Sequence, residues 1–214
     1  KAYDHTTSSY NLSLQNNDRA TKIAALDQLS VIASARSDFT AARSYVEQVF
    51  RLTDRDDPRR GFGWSVLGYI ALLQGELEEA VQGYLESMRL HSAGGEQRLA
   101  AQSEQGLAFV YTYAGQYQQA IAHYRHVLDV FSQYSSPLDA ALAQVEAGDV
   151  YRRLGDYEQA LTMYRLCEPF LINTRSQVYL SHLYNNYGLT YTEIGNFDEA
   201  ERSFVRSIDR KSVV

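Results

Sequence analysis

The residues that cross-link, punctuate or anchor a chain are scarce here: one cysteine, three prolines, one tryptophan and two methionines in 214 residues. A single cysteine excludes an internal disulfide framework and a zinc–thiolate cluster. Three prolines and 13 glycines are too few for a collagen-like or low-complexity chain. No apolar run approaches the ~20 residues that span a bilayer, and no signal peptide opens the chain. Both absences predict a cytoplasmic protein without a membrane partner. Basic residues are the minority charge, 20 Lys+Arg against 26 Asp+Glu, for a net charge of −6. That balance argues against direct nucleic-acid binding. The hydrophobic share, 45%, excludes wholesale disorder. The first residue is Lys1 rather than Met, which suggests a segment of a longer or processed chain.

Tyrosine, by contrast, is abundant, with 17 residues. A repeat explains it. The phrase Gly-x-aromatic-x-x-Ala occurs at Gly115–Ala120, Gly155–Ala160 and Gly195–Ala200, with a fourth copy, Gly75–Ala80, that carries Leu77 at the aromatic position. Ala80, Ala120, Ala160 and Ala200 therefore recur every 40 residues. Four residues after each alanine comes Tyr84, Tyr124, Tyr164 or Phe204; seven before each glycine comes Gly68, Ala108, Gly148 or Gly188. Residues three and four apart share a helix face. The small residue and the one three later (Gly148 and Tyr151, for instance) thus lie on a first helix, A. The alanine and the aromatic lie on a second helix, B. The intervening glycine stands where helix A must stop, because it takes a positive φ at little cost. A single hairpin of this kind cannot bury both faces, so the hairpins stack.

These residues resemble the tetratricopeptide repeat, whose pattern is W-x2-L-G-x2-Y followed by A-x3-F. The openest copy is Trp64, Leu67, Gly68, Ala71, Gly75, Ala80, Tyr84 and Ser87; the last is Tyr184, Tyr187, Gly188, Tyr191, Gly195, Ala200, Phe204 and Ser207. The resemblance implies an all-α fold, a right-handed α-α superhelix of stacked antiparallel hairpins. A divergent copy precedes these, with Leu26, Leu29, Ser30 and Ala33 on helix A and Ser37, Phe39, Ala42, Val46 and Val49 beyond it. The expected organisation is one array over 1–214: a partial repeat at 1–20, a divergent repeat at 21–60, and repeats at 61–100, 101–140, 141–180 and 181–214. The partial repeat would supply a second helix over Lys1 to Leu14 and a turn at Asn16-Asn17-Asp18. The period of 40 exceeds the common ~34, so the helices are expected to be longer. Asp57-Pro58 and Ser136-Pro137 each read as an N-cap and first helical residue. Gly61-Phe-Gly63 and Gly94-Gly95 read as turns.

No catalytic motif emerges, and the expectation is a protein that is not an enzyme and carries no cofactor or metal. Cys167 takes a slot held by Ser87, Val127 and Ser207 in the other repeats, which packing explains. His123 and His126 flank Tyr124 as a solvated pair, without the further ligands a metal needs; His5, His91 and His182 are isolated. There is no phosphate-binding loop, dinucleotide fingerprint or nucleophile elbow. Glu78, Glu79 and Glu199 sit at the starts of B helices, where carboxylates suit the helix dipole.

In an array of this type the A helices line the concave face. Counting positions from the repeat places Phe62, Ser65, Tyr69, Leu72 and Leu73 there, then Gln102, Gln105, Phe109, Thr112 and Tyr113. Leu142, Val145, Asp149, Arg152 and Arg153 follow, then His182, Asn185, Leu189, Thr192 and Glu193, with Asp27, Val31 and Ser34 from the divergent copy. Tyr69, Gln105, Phe109, Tyr113, Asp149, Arg152, Arg153 and Asn185 are the candidate partner-binding residues, aromatic and arginine side chains being frequent interface anchors. Tetratricopeptide clamps for chaperone tails carry several Lys, Arg and Asn on this face, whereas Tyr69, Gln105, Phe109 and Asp149 occupy those places here. The expected partner is a protein or peptide. An alternative follows from resemblance to the sensor arrays of bacterial STAND-type transcription activators, whose repeats, like those of spindle-orientation scaffolds, run near 40 residues: a small-molecule effector in an excised regulatory domain. A further expectation is a homodimer through Phe204 and Ile208 of the C-terminal helix.

Overall fold

The computed structural model describes residues 18–174 and 177–211. The expected partial repeat at 1–20 lies, apart from its last three residues, outside the described residues. Ten α-helices and no strands occur among the described residues. They fall into two compact units, divided between Val110 and Tyr111.

The first unit holds α1 (Arg19–Ala35), α2 (Phe39–Leu52), α3 (Arg60–Gln74), α4 (Leu77–Ala93) and most of α5 (Gln97–Tyr113). Asp18 starts α1 by accepting the backbone N–H groups of Ala20 and Thr21 at 3.0 and 3.2 Å, a side-chain cap on donors that a helix start leaves unpaired. Helix α1 packs on α2 and α3 on α4, and α1 also touches α3. Ala33, Ala42, Val46, Val66 and Ile70 form one buried cluster between these helices; Ile23, Leu26 and Val49 form another. The backbones of α3 and α4 meet at glycine: a Cβ on Gly83 would lie 2.7 Å from the Cα of Gly68. The divergent repeat is a true hairpin, α1 and α2.

The second unit holds α6 (Tyr117–Gln133), α7 (Pro137–Leu154), α8 (Tyr157–Thr174), α9 (Gln177–Ile194) and α10 (Phe197–Lys211). Helices α7 and α8 form one hairpin and α9 and α10 another, with α7 also touching α9. The small residue of each A helix receives the aromatic of its B helix. The Tyr164 ring lies where a Cβ on Gly148 would be 2.2 Å away, and the Phe204 ring stands likewise against Gly188. Tyr124, Tyr164 and Phe131 are fully buried.

The turns close in one way. Gly75 donates its N–H to the carbonyl of Leu72 at 3.0 Å, and Glu76 donates to that of Ala71 at 2.9 Å. The same pair of bonds follows at Gly155 and Gly195, each with positive φ. This is the paired-bond C-cap that left-handed glycine favours. Ser37 and Ser135 hold the same place without being glycine, at φ 59° and 49°. A side chain in the left-handed region costs about 1–2 kcal/mol, against ~0.4–1 kcal/mol of extra unfolded-chain freedom that glycine introduces. Ser37→Gly and Ser135→Gly are each expected to stabilise by about 0.5–1 kcal/mol in urea denaturation; destabilisation would show that the serine hydroxyls hold the turns.

Three sequence expectations are corrected. Gly61-Phe-Gly63 is not a turn but part of α3, and both glycines are buried. Their hydrogens face the His91 ring and Val46 with Phe50, where a Cβ would come within 2.7 and 2.9 Å. Helix α3 starts at Arg60, not Pro58. Asp57 accepts the backbone N–H of Arg59 at 3.0 Å and the Arg59 Nε at 2.9 Å, closing a turn around Pro58 first. Pro137, in contrast, is the first residue of α7. His91 is not isolated: it is buried, and its Nδ1 lies 2.8 Å from the Glu96 carboxylate.

Candidate functional site

The first unit contains a cavity of about 480 Å³ between its helices. Helix α1 contributes Val31, Ser34 and Ala35, and α3 contributes Phe62, Ser65, Val66 and Tyr69. Tyr84 and His91 come from α4; Leu99, Gln102, Ser103 and Gly106 come from α5. Six of the positions placed on the concave face by repeat counting meet here: Val31, Ser34, Phe62, Ser65, Tyr69 and Gln102. Tyr69 is 43% exposed at its wall.

The polar groups of the wall are turned inward on the scaffold. Ser65 donates to the Phe62 carbonyl at 2.7 Å and Ser34 to that of Ser30 at 2.8 Å. Ser103 donates to the Leu99 carbonyl, and its oxygen lies 2.7 Å from that of Ser87. Ser87 in turn donates to the Gly61 carbonyl at 2.7 Å, tying α4 to α3. Tyr84 and Gln102 have contacts of their own. The wall contains no Asp, Glu, Lys or Arg. His91 is its one ionisable imidazole, held by Glu96 as described. Repeat counting missed His91, Tyr84 and Ser103, because it assigned B helices and buried A positions to the scaffold alone.

The other candidates lie elsewhere. Gln105 is half-buried and Phe109 38% exposed on α5, outside the cavity wall. Leu72 and Val145 are buried rather than presented. In the second unit Tyr113 is 69% exposed, and Asn185 is half-buried on α9.

Asp149, Arg152 and Arg153 come together, but as an internal network. Asp149 accepts from Arg152 Nη2 at 2.6 Å and from Arg153 Nε at 2.7 Å, and Arg152 Nη1 reaches Glu193 at 2.5 Å. Two arginines and two carboxylates leave the cluster neutral, so it offers a partner little unspent charge. The Arg152 side chain is 11% exposed and Asp149 21%. Arg152→Ala is therefore expected to destabilise the second unit by about 1–2 kcal/mol, between the values for exposed and buried pairs. Unchanged stability in thermal unfolding would return Arg152 to the recognition surface.

Carboxylates also fix the tyrosines. Tyr184 and Tyr187 both donate to Glu168, at 3.0 and 3.2 Å, and Tyr124 donates to Glu146 at 3.2 Å. Cys167 is buried and donates to the Tyr164 carbonyl; burial pushes its thiol up to about 12, far from a reactive thiolate. His123 stacks on Tyr111 at 5.4 Å. Among the described residues there is no group of three or more His, Cys, Asp or Glu placed to hold a metal, and no helix long and apolar enough to cross a membrane. Phe204 is half-buried against Gly188, and the exposed apolar side chains of α10 are Phe197, Val205 and Ile208, at 69%, 49% and 64%.

Known proteins agree with this architecture. The family model described as tetratricopeptide repeat matches residues 63–133, 97–173 and 139–212, and a second model of the same repeat matches 29–94. No curated protein matches the chain. Among solved structures it is similar to BtubC (BKLC) from P. vanneervenii, at 17% identity over 99% of this chain and 90% of that one, with a TM-score of 0.79. It is similar to a putative kinesin light chain from P. anserina with TPR-like repeats, at 18% identity over 89% and 95%, TM-score 0.65. It is also similar to NprR in complex with its cognate peptide NprX, at 15% identity over 98% and 66%, TM-score 0.70. At these identities the likeness concerns the fold, while the repeat matches cover most of the sequence: the chain belongs to the tetratricopeptide repeat family.

Proposed function

We propose that this chain is a protein-interaction module and that a peptide or protein segment docks at the cavity of the first unit. The observation that carries the reading is the cavity itself, lined by Phe62, Tyr69 and Val31 from the face that repeat counting assigns to recognition, with Leu99 beside them. Aromatic and aliphatic walls around a concave site are the usual setting for an anchor side chain. The peptide complex of NprR, a protein of similar fold, supports the same mode. The chain acts by binding in this reading, and the groups that would serve chemistry, Cys167 and His91, are held in packing roles. A small-molecule effector is the second reading, favoured by a volume within the ~300–1,000 Å³ of ligand pockets.

The test is selection of peptides from a random-sequence display library on the wild-type chain, followed by binding to Ser65→Trp. Ser65 is half-buried and bonds only its own helix, so the substitution fills the cavity without disturbing a tertiary hydrogen bond. Selected peptides are expected to bind Ser65→Trp at least ten-fold more weakly, with the melting temperature retained. Equal binding to both proteins, or no peptide selected, would overturn the reading.

A further inference from the structure

The cavity exists because the residues around it are smaller than the repeat requires. At the position of Ser65 the other repeats carry Asp27, Gln105, Val145 and Asn185; at that of Ser34 they carry Leu72, Thr112, Arg152 and Thr192. At the position of Gly106 stand Gln28, Val66, Glu146 and Asn186, and only glycine admits the Tyr84 ring, which lies where a Cβ would be 2.2 Å away. The Tyr84 ring fills the place left by Gly106, so two undersized residues, Ser34 and Ser65, open the site. Hollowing a packed interior costs stability, and the scaffold itself gains nothing from it.

The chemistry of the wall then selects what enters. It holds no Asp, Glu, Lys or Arg, and its His91 is already taken up by Glu96; the hydroxyl hydrogens of Ser34 and Ser65 go to backbone carbonyls, and Ser103 is bonded to Ser87 and the Leu99 carbonyl. A carboxylate or ammonium placed inside would lose its water and meet no opposite charge, a penalty of several kcal/mol. Aromatic faces of Phe62, Tyr69 and Tyr84, with Val31, Val66 and Leu99, would meet an apolar group favourably. We infer that the occupant is a peptide segment that inserts a bulky uncharged side chain, aromatic or branched aliphatic, and that recognition at this site uses no charged contact. This rests on the docking reading above and specifies its partner.

Three indole probes test it on the whole chain by ligand-observed nuclear magnetic resonance: uncharged 3-methylindole, anionic indole-3-acetate and cationic tryptamine. The expected result is binding of 3-methylindole, at least ten-fold weaker binding of both charged analogues, and loss of 3-methylindole binding in Ser65→Trp. Tyr69→Ala serves as a second variant; its side chain is already 43% exposed, so weaker binding there cannot be ascribed to a broken core. If a charged analogue binds as well as 3-methylindole, the uncharged-anchor inference fails and peptide docking stands. If no probe binds, or Ser65→Trp binds unchanged, the inference fails as well. Docking then survives only where display-selected peptides still distinguish the wild type from Ser65→Trp.

Discussion

Tyr164→Ala is expected to lower the unfolding free energy of the second unit by about 3–5 kcal/mol, the range for emptying a large buried aromatic site. Tyr164 is 0% exposed, meets Tyr187 edge-on at 5.1 Å between ring centroids, and occupies the space left by the missing side chain of Gly148. Two further variants separate ring from hydroxyl and hole from filling. The Tyr164 hydroxyl is buried without a hydrogen-bond partner, so Tyr164→Phe should change stability by less than about 1 kcal/mol in either direction. Gly148→Leu alone should cost about 1–3 kcal/mol by overpacking. Combined with Tyr164→Ala, the leucine would enter the vacated volume, and the double variant should be more stable than the sum of the singles by at least ~1 kcal/mol. Additive losses in guanidinium denaturation would mean that the two residues do not share this space.

Asp27 carries the second large effect, and it depends on pH. One of its carboxylate oxygens is buried without a hydrogen-bond partner, and burial pushes the group up to about 7 from an ordinary value of 3.8. The folded state therefore keeps a proton that the unfolded state has already released. The contribution of Asp27 to stability is most favourable below about pH 4 and falls as pH rises toward 7, because ionising it in the folded protein puts a charge in a poorly solvated place. At about 1.4 kcal/mol per unit the ceiling is ~4 kcal/mol; part of the side chain reaches solvent, so about 2 kcal/mol is expected. Asp27→Asn should be more stable than wild type by that amount at pH 8 and no more stable at pH 4. A difference independent of pH, measured by urea denaturation at several pH values, would show that Asp27 finds a partner when ionised.

The hairpins were readable from sequence because their determinants are local and recur. A glycine that ends helix A, an alanine three residues after the turn's aromatic and a large ring four residues later each have one physical reason to stand where they do. Gly61 and Gly63 misled because two glycines beside a proline look like a break, whereas close packing on His91, Val46 and Phe50 is what demands them. The repeat held the missing clue: position 61 is small in the three later repeats, as Ala101, Ala141 and Ser181. His91 is a similar case, since its register partners Phe131 and Leu171 are fully buried. The pairing of the arginines was not legible from one repeat, because their partners Asp149 and Glu193 stand one turn away and one repeat away. The cavity was harder to see, because a void leaves no motif; it shows only as Ser34 and Ser65 being too small.

The shortness of the turns bears on how quickly the chain finds its structure. Most helices in each unit are separated from the next by two or three residues, and α1 packs on α2, α3 on α4, α7 on α8 and α9 on α10. The search for native partners is then a search among near neighbours in sequence, with small loop-closure entropy at each step. Helical proteins whose contacts are this local fold in microseconds to milliseconds. The seven-residue connector from Thr53 to Arg59 is the one long interruption between consecutive described helices of the first unit. Joining α1 and α2 to α3 is accordingly the step in that unit where chain diffusion, rather than turn chemistry, governs the rate.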